Sequence, residues 1–138
     1  MEKIKVLIAD DDSDILKIMV KKIGEEGFDV VPAKDGEEAW QKIQSESPDI
    51  ILLDLNMPRM HGFEVLKQLR ENPPSEKWQP VIIVSGEGEL GNMHKGFSLE
   101  ADHYLTKPCS TTIMIKAINL MSALIPQHKT KKEIEADE

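Results

Sequence analysis

One cysteine, Cys109, is present, so no disulfide framework can form within the chain, and the composition reads as that of a reduced, cytoplasmic protein in which this thiol is a small packed side chain. Basic residues are scarce. Seventeen Lys and Arg stand against 25 Asp and Glu, a formal net charge of −8, which argues against direct nucleic-acid binding because neutralising phosphates needs a clustered basic surface. The expected partner is a protein. Long apolar runs are missing too: the most apolar stretch, Ile113 to Ile125, contains Lys116 and Asn119 and falls short of the roughly 20 residues that span a bilayer. Met1-Glu2-Lys3 passes straight into a strand-like segment with no signal-type apolar region, so neither secretion nor a membrane partner is expected. His94, His103 and His128 lack paired metal-ligand spacing and read as surface residues. At 138 residues the chain fits one domain, long enough to bury roughly two thirds of its unfolded surface.

What is present is a fivefold alternation of strand and helix patterns. Ile4 to Ala9 is a short β-rich run, followed by Ile15, Leu16, Met19, Val20 and Ile23 at helical spacing, with Ser13 and Asp14 as helix starters. Phe28 to Pro32 is a second strand, assigned to an edge by Pro32. Asp35-Gly36 opens a second helix with Ala39, Trp40 and Ile43 inward, which Pro48 stops. Asp49 to Leu53 is a continuous apolar run, the mark of a central parallel strand covered on both faces. A Pro- and Gly-containing loop, Leu55 to Gly62, leads to a third helix carrying Phe63, Leu66 and Leu69. Val81 to Val84 is the fourth strand, Gly86 to Leu99 a weakly amphipathic fourth helix, Tyr104 to Thr106 the fifth strand and Thr111 to Ile125 the fifth helix. The domain is expected to occupy residues 1–126, with the charged segment 127–138 a tail or the start of a linker. Five β-then-α units predict an α/β fold, a doubly wound parallel sheet of order 2-1-3-4-5 with helices on both faces.

In such a sheet all strand C-termini share one edge, where ligand sites lie. The first strand ends in Asp10-Asp11, the third in Asp54, the fourth in Ser85 and the fifth in Thr106-Lys107. Strands 1 and 3 are neighbours in this order, which places Asp10 and Asp11 about 5 Å from the column carrying Asp54. Strand 5 is two spacings from strand 3, about 10 Å, a gap that a lysine can bridge and a short side chain cannot. Three carboxylates this close raise one another's pKa unless a cation neutralises them, and Mg²⁺, which takes oxygen ligands and sits on one or two carboxylates plus phosphate, is the natural ion. Asp54 could then act as a nucleophile toward phosphorus, with Lys107 and Ser85 meeting the charge on the transferring oxygens. The plainer account of Asp10-Asp11-Asp12, a solvated helix N-terminus favoured by the macrodipole, leaves Asp54, Ser85 and Lys107 at matching strand ends without explanation.

With these residues in order, the chain resembles the receiver domain of bacterial two-component response regulators. The resemblance rests on Ile8-Ala9-Asp10-Asp11-Asp12, on Asp49 to Gly62 around Asp54, on Val84-Ser85-Gly86 and on Tyr104-Leu105-Thr106-Lys107-Pro108, and covers residues 4 to about 125. It implies a flavodoxin-like fold, Asp54 as acceptor of a phosphoryl group from the phosphohistidine of a sensor histidine kinase or histidine phosphotransfer protein, and a signalling domain that catalyses only its own phosphorylation and dephosphorylation. Mg²⁺, with Mn²⁺ as a substitute, would be held by Asp11, Asp54 and the Asn56 carbonyl, with Asp10 acting partly through water. Ser85 and Lys107 would bind the phosphoryl group, Lys107-Pro108 would be cis, and Tyr104 would be the aromatic switch. Asn56 and Glu87 would flank the attacking water and tune dephosphorylation. A surface of the fourth helix, fifth strand and fifth helix would contact an output domain or downstream protein, or a second copy of the chain on phosphorylation. Four positions depart from the family pattern: His61 replaces a common acidic residue, Gly86 a frequent Ala, Glu100 a frequent Gly and Cys109 a frequent Phe.

Two other readings compete. A pseudo-receiver would keep the fold as an interaction module without taking phosphate. Asp10-x-Asp12 after an apolar strand also resembles the first motif of haloacid-dehalogenase phosphohydrolases, which would make Asp10 the nucleophile and require a late acidic pair that only Asp102 approaches.

Overall fold

The computed structural model describes residues 3–86, 94–95 and 97–127. Its elements are β1 (Lys5–Ala9), α1 (Ser13–Glu25), β2 (Asp29–Ala33), α2 (Gly36–Glu46), β3 (Ile50–Asp54), α3 (Gly62–Glu71), β4 (Val81–Ser85), β5 (His103–Thr106) and α4 (Thr111–Leu124), followed by a 3-10 turn at Ile125–Gln127. All five strands are parallel, in the order β2-β1-β3-β4-β5, as the alternating pattern predicts. Among the described residues there are four α-helices where five are expected. The expected helix over 86–99 falls largely outside them, with residues 94–95 and 97–98 helical. Residues 128–138, expected to be a tail or the start of a linker and carrying His128, also lie outside.

Alternating side chains of the strands fill two separate cores. Leu7, Ile51, Leu53 and Ile83 pack against α2 and α3, through Ala39, Ile43, Val65, Leu66 and Leu69. Val6, Ile8, Ile50, Leu52, Ile82 and Val84 pack against α1 and α4, through Met19, Ile23, Met114, Ala117, Ile118 and Met121. This explains why β3 and β4 read as unbroken apolar runs: every residue in each is buried, on one face or the other. β2 pairs with β1 alone, and Pro32 is tolerated on this edge strand.

The strands extend to the residues that carry the site, since β3 includes Asp54 and β4 includes Ser85. Helix starts are set by side-chain caps. Asp12, rather than Ser13 or Asp14, caps α1 by accepting from the amides of Asp14 (3.0 Å) and Ile15 (3.2 Å). Asp35 caps α2 by accepting from Glu38 N at 2.8 Å, and Ser110 caps α4 by accepting from Ile113 N at 3.2 Å. Of the histidines read as surface residues, His94 is exposed, but His103 is half-buried in β5, where its Nδ1 accepts from Tyr104 N.

At the sheet edge opposite the site, Arg70 near the end of α3 fastens the turn before β5. Its Nε and one terminal nitrogen donate to the Glu100 carbonyl at 3.1 and 2.9 Å, and its guanidinium pairs with Asp102 at 2.8 Å. The same Asp102 carboxylate accepts from Val81 N at the start of β4. Glu100 holds φ +68°, a left-handed conformation that strains any residue with a Cβ. Glu100→Gly leaves the carbonyl that Arg70 grips and removes the strain, so it is expected to stabilise the fold by about 1 kcal/mol. Urea unfolding with an unchanged m-value would measure it; a midpoint equal to or below that of the parent chain would contradict it.

Candidate functional site

The C-terminal edge of the sheet gathers what four separate segments deliver. Ala9 lies beside Leu53 in register, so Asp10 follows β1 next to Asp54 at the end of β3, while Asp54 pairs with Val84 and Ser85 with Thr106. One carboxylate oxygen from each of Asp10, Asp11 and Asp54 falls within 4.8 Å of the others, close to the single strand spacing that the sheet order requires. Asp10 and Asp54 are buried and Asp11 is exposed, so the cluster opens to solvent on one side. Ser85 is fully buried.

Lys107 crosses from the end of β5. Its Nζ donates to Asp54 Oδ2 at 3.0 Å and lies 3.9 Å from Asp10 Oδ2. The Lys107 amide donates to the Ser85 carbonyl at 2.6 Å, which ties the hydroxyl-bearing residue and the lysine together through the backbone, and Lys107-Pro108 is cis. Asp54 Oδ1 accepts from Asn56 N at 3.3 Å, and Asp10 Oδ1 accepts from Asp12 N at 2.9 Å. Asn56 is exposed beside the cluster; Glu87 lies outside the described residues. Beside Lys107 a cleft of about 530 Å³ opens between α1 and the start of α4, lined by Asp10, Ile15, Pro108, Cys109 and Met114. Cys109 is half-buried there, and burial pushes its thiol pKa up, in keeping with a packed side chain rather than a thiolate.

Burial pushes the Asp10 carboxyl pKa up, and the neighbouring charges of Asp54 and Asp11 add to this, against the opposing amide of Asp12 and the ammonium of Lys107. For Lys107, burial works downward, but the hydrogen bond and charge of Asp54, with the charges of Asp10 and Asp11, outweigh it and raise the pKa. One ammonium therefore faces three carboxylates, and the oxygen-only donor set, with one face open to water, fits a hard divalent cation such as Mg²⁺.

A carboxyl whose folded-state pKa lies above its unfolded value stabilises the fold only while protonated, and that contribution is lost as pH rises through the folded pKa. At neutral pH ionised Asp10 thus opposes folding of the metal-free protein. Asp10→Asn keeps an oxygen for the Asp12 amide and removes the charge. It is expected to raise the metal-free melting temperature by about 3–5 °C at pH 7, on the order of 1 kcal/mol, with the gain shrinking in acid. Calorimetry in chelator at pH 7 and pH 4 tests this; a lower melting temperature at pH 7 would show that Asp10 is net stabilising.

Tyr104 points into the core shared with α2 and α3, 9% exposed, and its hydroxyl has no hydrogen-bond partner among the described residues. Asp102, the candidate for a late acidic pair, sits at the opposite edge of the sheet on Arg70 and Val81 N, so the phosphohydrolase reading loses its second acidic element. Two contributions to the loop after Asp54 are absent from the sequence reading. His61 caps α3, its Nδ1 accepting from Phe63 N at 3.1 Å with the two rings 5.3 Å apart, which gives a local reason for an imidazole at this departure from the family pattern. Gly62 lies so close beneath the end of β3 that a Cβ there would stand 2.8 Å from the Asp54 carbonyl oxygen and from Leu55 Cα, a contact only glycine avoids.

Comparison with known proteins agrees with this geometry. The family model described as "Response regulator receiver domain" matches residues 6–119. The alkaline phosphatase synthesis transcriptional regulatory protein PhoP of Bacillus subtilis is 38% identical over 106 residues, 77% of this chain and 43% of that protein. Response regulator RR06 of Streptococcus pneumoniae is 37% identical over 116 residues, 84% of this chain and 52% of its own length. The chain thus spans about half the length of these curated relatives. Among solved structures, the receiver domain of the Francisella response regulator 1452 superposes with TM-score 0.78 at 38% identity, over 85% of this chain and 94% of that one. The chemotaxis protein CheY4 of Vibrio cholerae gives 0.80 at 29% identity, over 87% and 99%.

Proposed function

The chain belongs to the response regulator receiver domain family, and from that premise we propose that Asp54 accepts a phosphoryl group from the phosphohistidine of a histidine kinase or histidine phosphotransfer protein. The observation that carries this is the meeting of three carboxylates within 4.8 Å, two from the end of β1 and one from the end of β3, with the Lys107 ammonium from the end of β5 3.0 Å from Asp54. A carboxylate oxygen of Asp54 attacks phosphorus as the P–N bond to the donor imidazole breaks, and the electron pair returns to that ring nitrogen. Lys107 meets the charge on the phosphoryl oxygens, and Ser85 supplies its hydroxyl to the same group. Mg²⁺, or Mn²⁺ in its place, would be held by Asp11, Asp54 and the Asn56 carbonyl, with Asp10 through water, and would supply positive charge against those oxygens. No separate substrate is turned over; the domain changes its own covalent state and thereby signals.

Tyr104, already inward with a hydroxyl that has no hydrogen-bond partner among the described residues, supports a role as the residue that reports the state of Ser85 to the surface of the 86–99 segment, β5 and α4. On α4, Ile113 (48%) and Leu120 (51%) are exposed while Leu124 packs on the core, so the surplus apolar side chains of this helix are only in part a wide buried stripe. The exposed pair supports a contact surface for an output domain, a downstream protein or a second copy. The exposure of Asn56, with Glu87 as its proposed partner, supports a wet path to the acyl phosphate and a lifetime of minutes or less.

Incubation with Mg²⁺ and acetyl phosphate tests the reading as a whole. The expected result is one acid-stable, base-labile phosphate mapping to the peptide with Asp54, decaying within minutes and accompanied by a shift toward dimer in sedimentation. An inert protein would instead be a pseudo-receiver, and steady hydrolysis of a phosphomonoester with label on Asp10 would make it a phosphohydrolase.

A further inference from the structure

The loop that follows Asp54 is closed on itself and docked sideways. Met57 N donates to the Leu55 carbonyl at 3.1 Å, Met60 N to the Pro58 carbonyl at 2.8 Å and Gly62 N to the Leu55 carbonyl at 3.0 Å. Its flank rests on the first turn of α2. A Cβ placed on Gly36 would stand 2.6 Å from the Met60 carbonyl carbon and 2.7 Å from Met60 Cβ, so backbone meets backbone there with no room for a side chain. Gly36 has no positive φ; the missing Cβ, rather than backbone freedom, is what the position requires. Next to it, Asp35 is 4% exposed and its second oxygen faces Arg59 at 3.7 Å, while Arg59 holds φ +70° at the outer corner of the loop. Neither Gly36 nor Asp35 belongs to the acidic cluster.

We infer that Gly36, with the Asp35–Arg59 pair, is a positioning element for the metal site: the first turn of α2 fixes the 55–61 loop and so sets where the Asn56 carbonyl stands relative to Asp54. This rests on the proposed role of that carbonyl as a Mg²⁺ ligand. A Cβ at 36 has to push the Met60 backbone away, and the displacement is passed along a loop of closed hydrogen bonds to Asn56, three residues before Arg59. Arg59 provides an independent sign test. Removing its positive charge should strengthen cation binding if only long-range electrostatics matter, and weaken it if the tether to Asp35 positions the loop.

The experiment compares the parent chain with Gly36→Ala and Arg59→Gln by amide hydrogen exchange in chelator and by calorimetric titration with Mg²⁺ alone. In Gly36→Ala the amides of Asn56, Met57 and Met60 are expected to exchange at least tenfold faster while those of β1, β3 and β4 hold their protection, and Mg²⁺ affinity is expected to fall at least tenfold. In Arg59→Gln the affinity is expected to fall at least twofold. Unchanged exchange at 56–60 in Gly36→Ala, or tighter Mg²⁺ binding in Arg59→Gln, would overturn the inference. Should Gly36→Ala fail to fold, the direction of the Arg59→Gln change decides alone. A parent chain that takes up no Mg²⁺ refutes the metal reading instead, and the exchange data then still decide whether α2 positions the loop.

Discussion

Asp54→Asn is expected to abolish acyl-phosphate formation, to below 1% of the parent extent on the order-of-magnitude scale of lost nucleophiles, while the protein stays folded. Asp54 is 4% exposed and its carboxylate is held on both oxygens, by Asn56 N at 3.3 Å and by Lys107 Nζ at 3.0 Å. An amide fits the same space and can accept one of these hydrogen bonds, but it then turns an N–H toward the other donor. That mismatch costs about 1–3 kcal/mol. Relief of charge repulsion with Asp10 works in the opposite direction, so the melting temperature should move by only a few degrees. The chemical effect has no such offset, because a neutral amide offers no anionic oxygen to phosphorus and its product would not be an acyl phosphate. Wild-type incorporation of base-labile phosphate into Asp54→Asn, measured with Mg²⁺ and acetyl phosphate, would remove Asp54 from the acceptor role.

The strand ends were legible because a parallel sheet turns a one-dimensional pattern, an apolar run closed by a polar residue, into a common edge. Asp10, Asp54, Ser85 and Lys107 are brought there by register, and a single strand spacing between β1 and β3 is in keeping with carboxylate oxygens that all lie within 4.8 Å of one another. Asp102 shows what the same logic could have decided: a residue that precedes β5 stands at the N-terminal edge, so it could never have joined Asp54. The contacts between distant segments were not legible. Asp35-Gly36 reads as a helix start, and nothing local says that Gly36 lacks a Cβ in order to admit the Met60 carbonyl, 24 positions later. His61 likewise stands out only as a departure from a family pattern; its service as the α3 cap depends on a ring nitrogen and an extended backbone that composition does not reveal. On α4 the apolar count exceeds one face, yet which side chains are left outside, Ile113 and Leu120, depends on where the helix lies against β5 and α1.

Lys107→Met should separate binding from chemistry by moving them in opposite directions. Lys107 is the cation that contacts Asp54 and approaches Asp10, and it occupies the carboxylate oxygen that a metal ion or phosphoryl group would otherwise face. Without the ammonium, three carboxylates confront one another with no counter-charge paired to them among the described residues, so Mg²⁺ should bind roughly threefold to tenfold more tightly. Phosphoryl transfer should nevertheless slow by about 10²–10³, the loss typical of removing one preorganised donor from developing negative charge. The pH dependence follows from the direction of the Lys107 shift. Its folded-state pKa is raised above the ordinary 10.5, so the stabilisation from pairing is complete below that value and is lost only as pH rises through the higher folded one. Between about pH 6 and pH 9 the ammonium is therefore fully charged in the parent chain, and the rate gap between parent and variant should be constant across that window. A gap that closed toward pH 9 would mean that Lys107 deprotonates in the working range. A rate within threefold of the parent at any pH would assign the charge on the phosphoryl oxygens to other groups and leave Lys107 as a structural partner of Asp54.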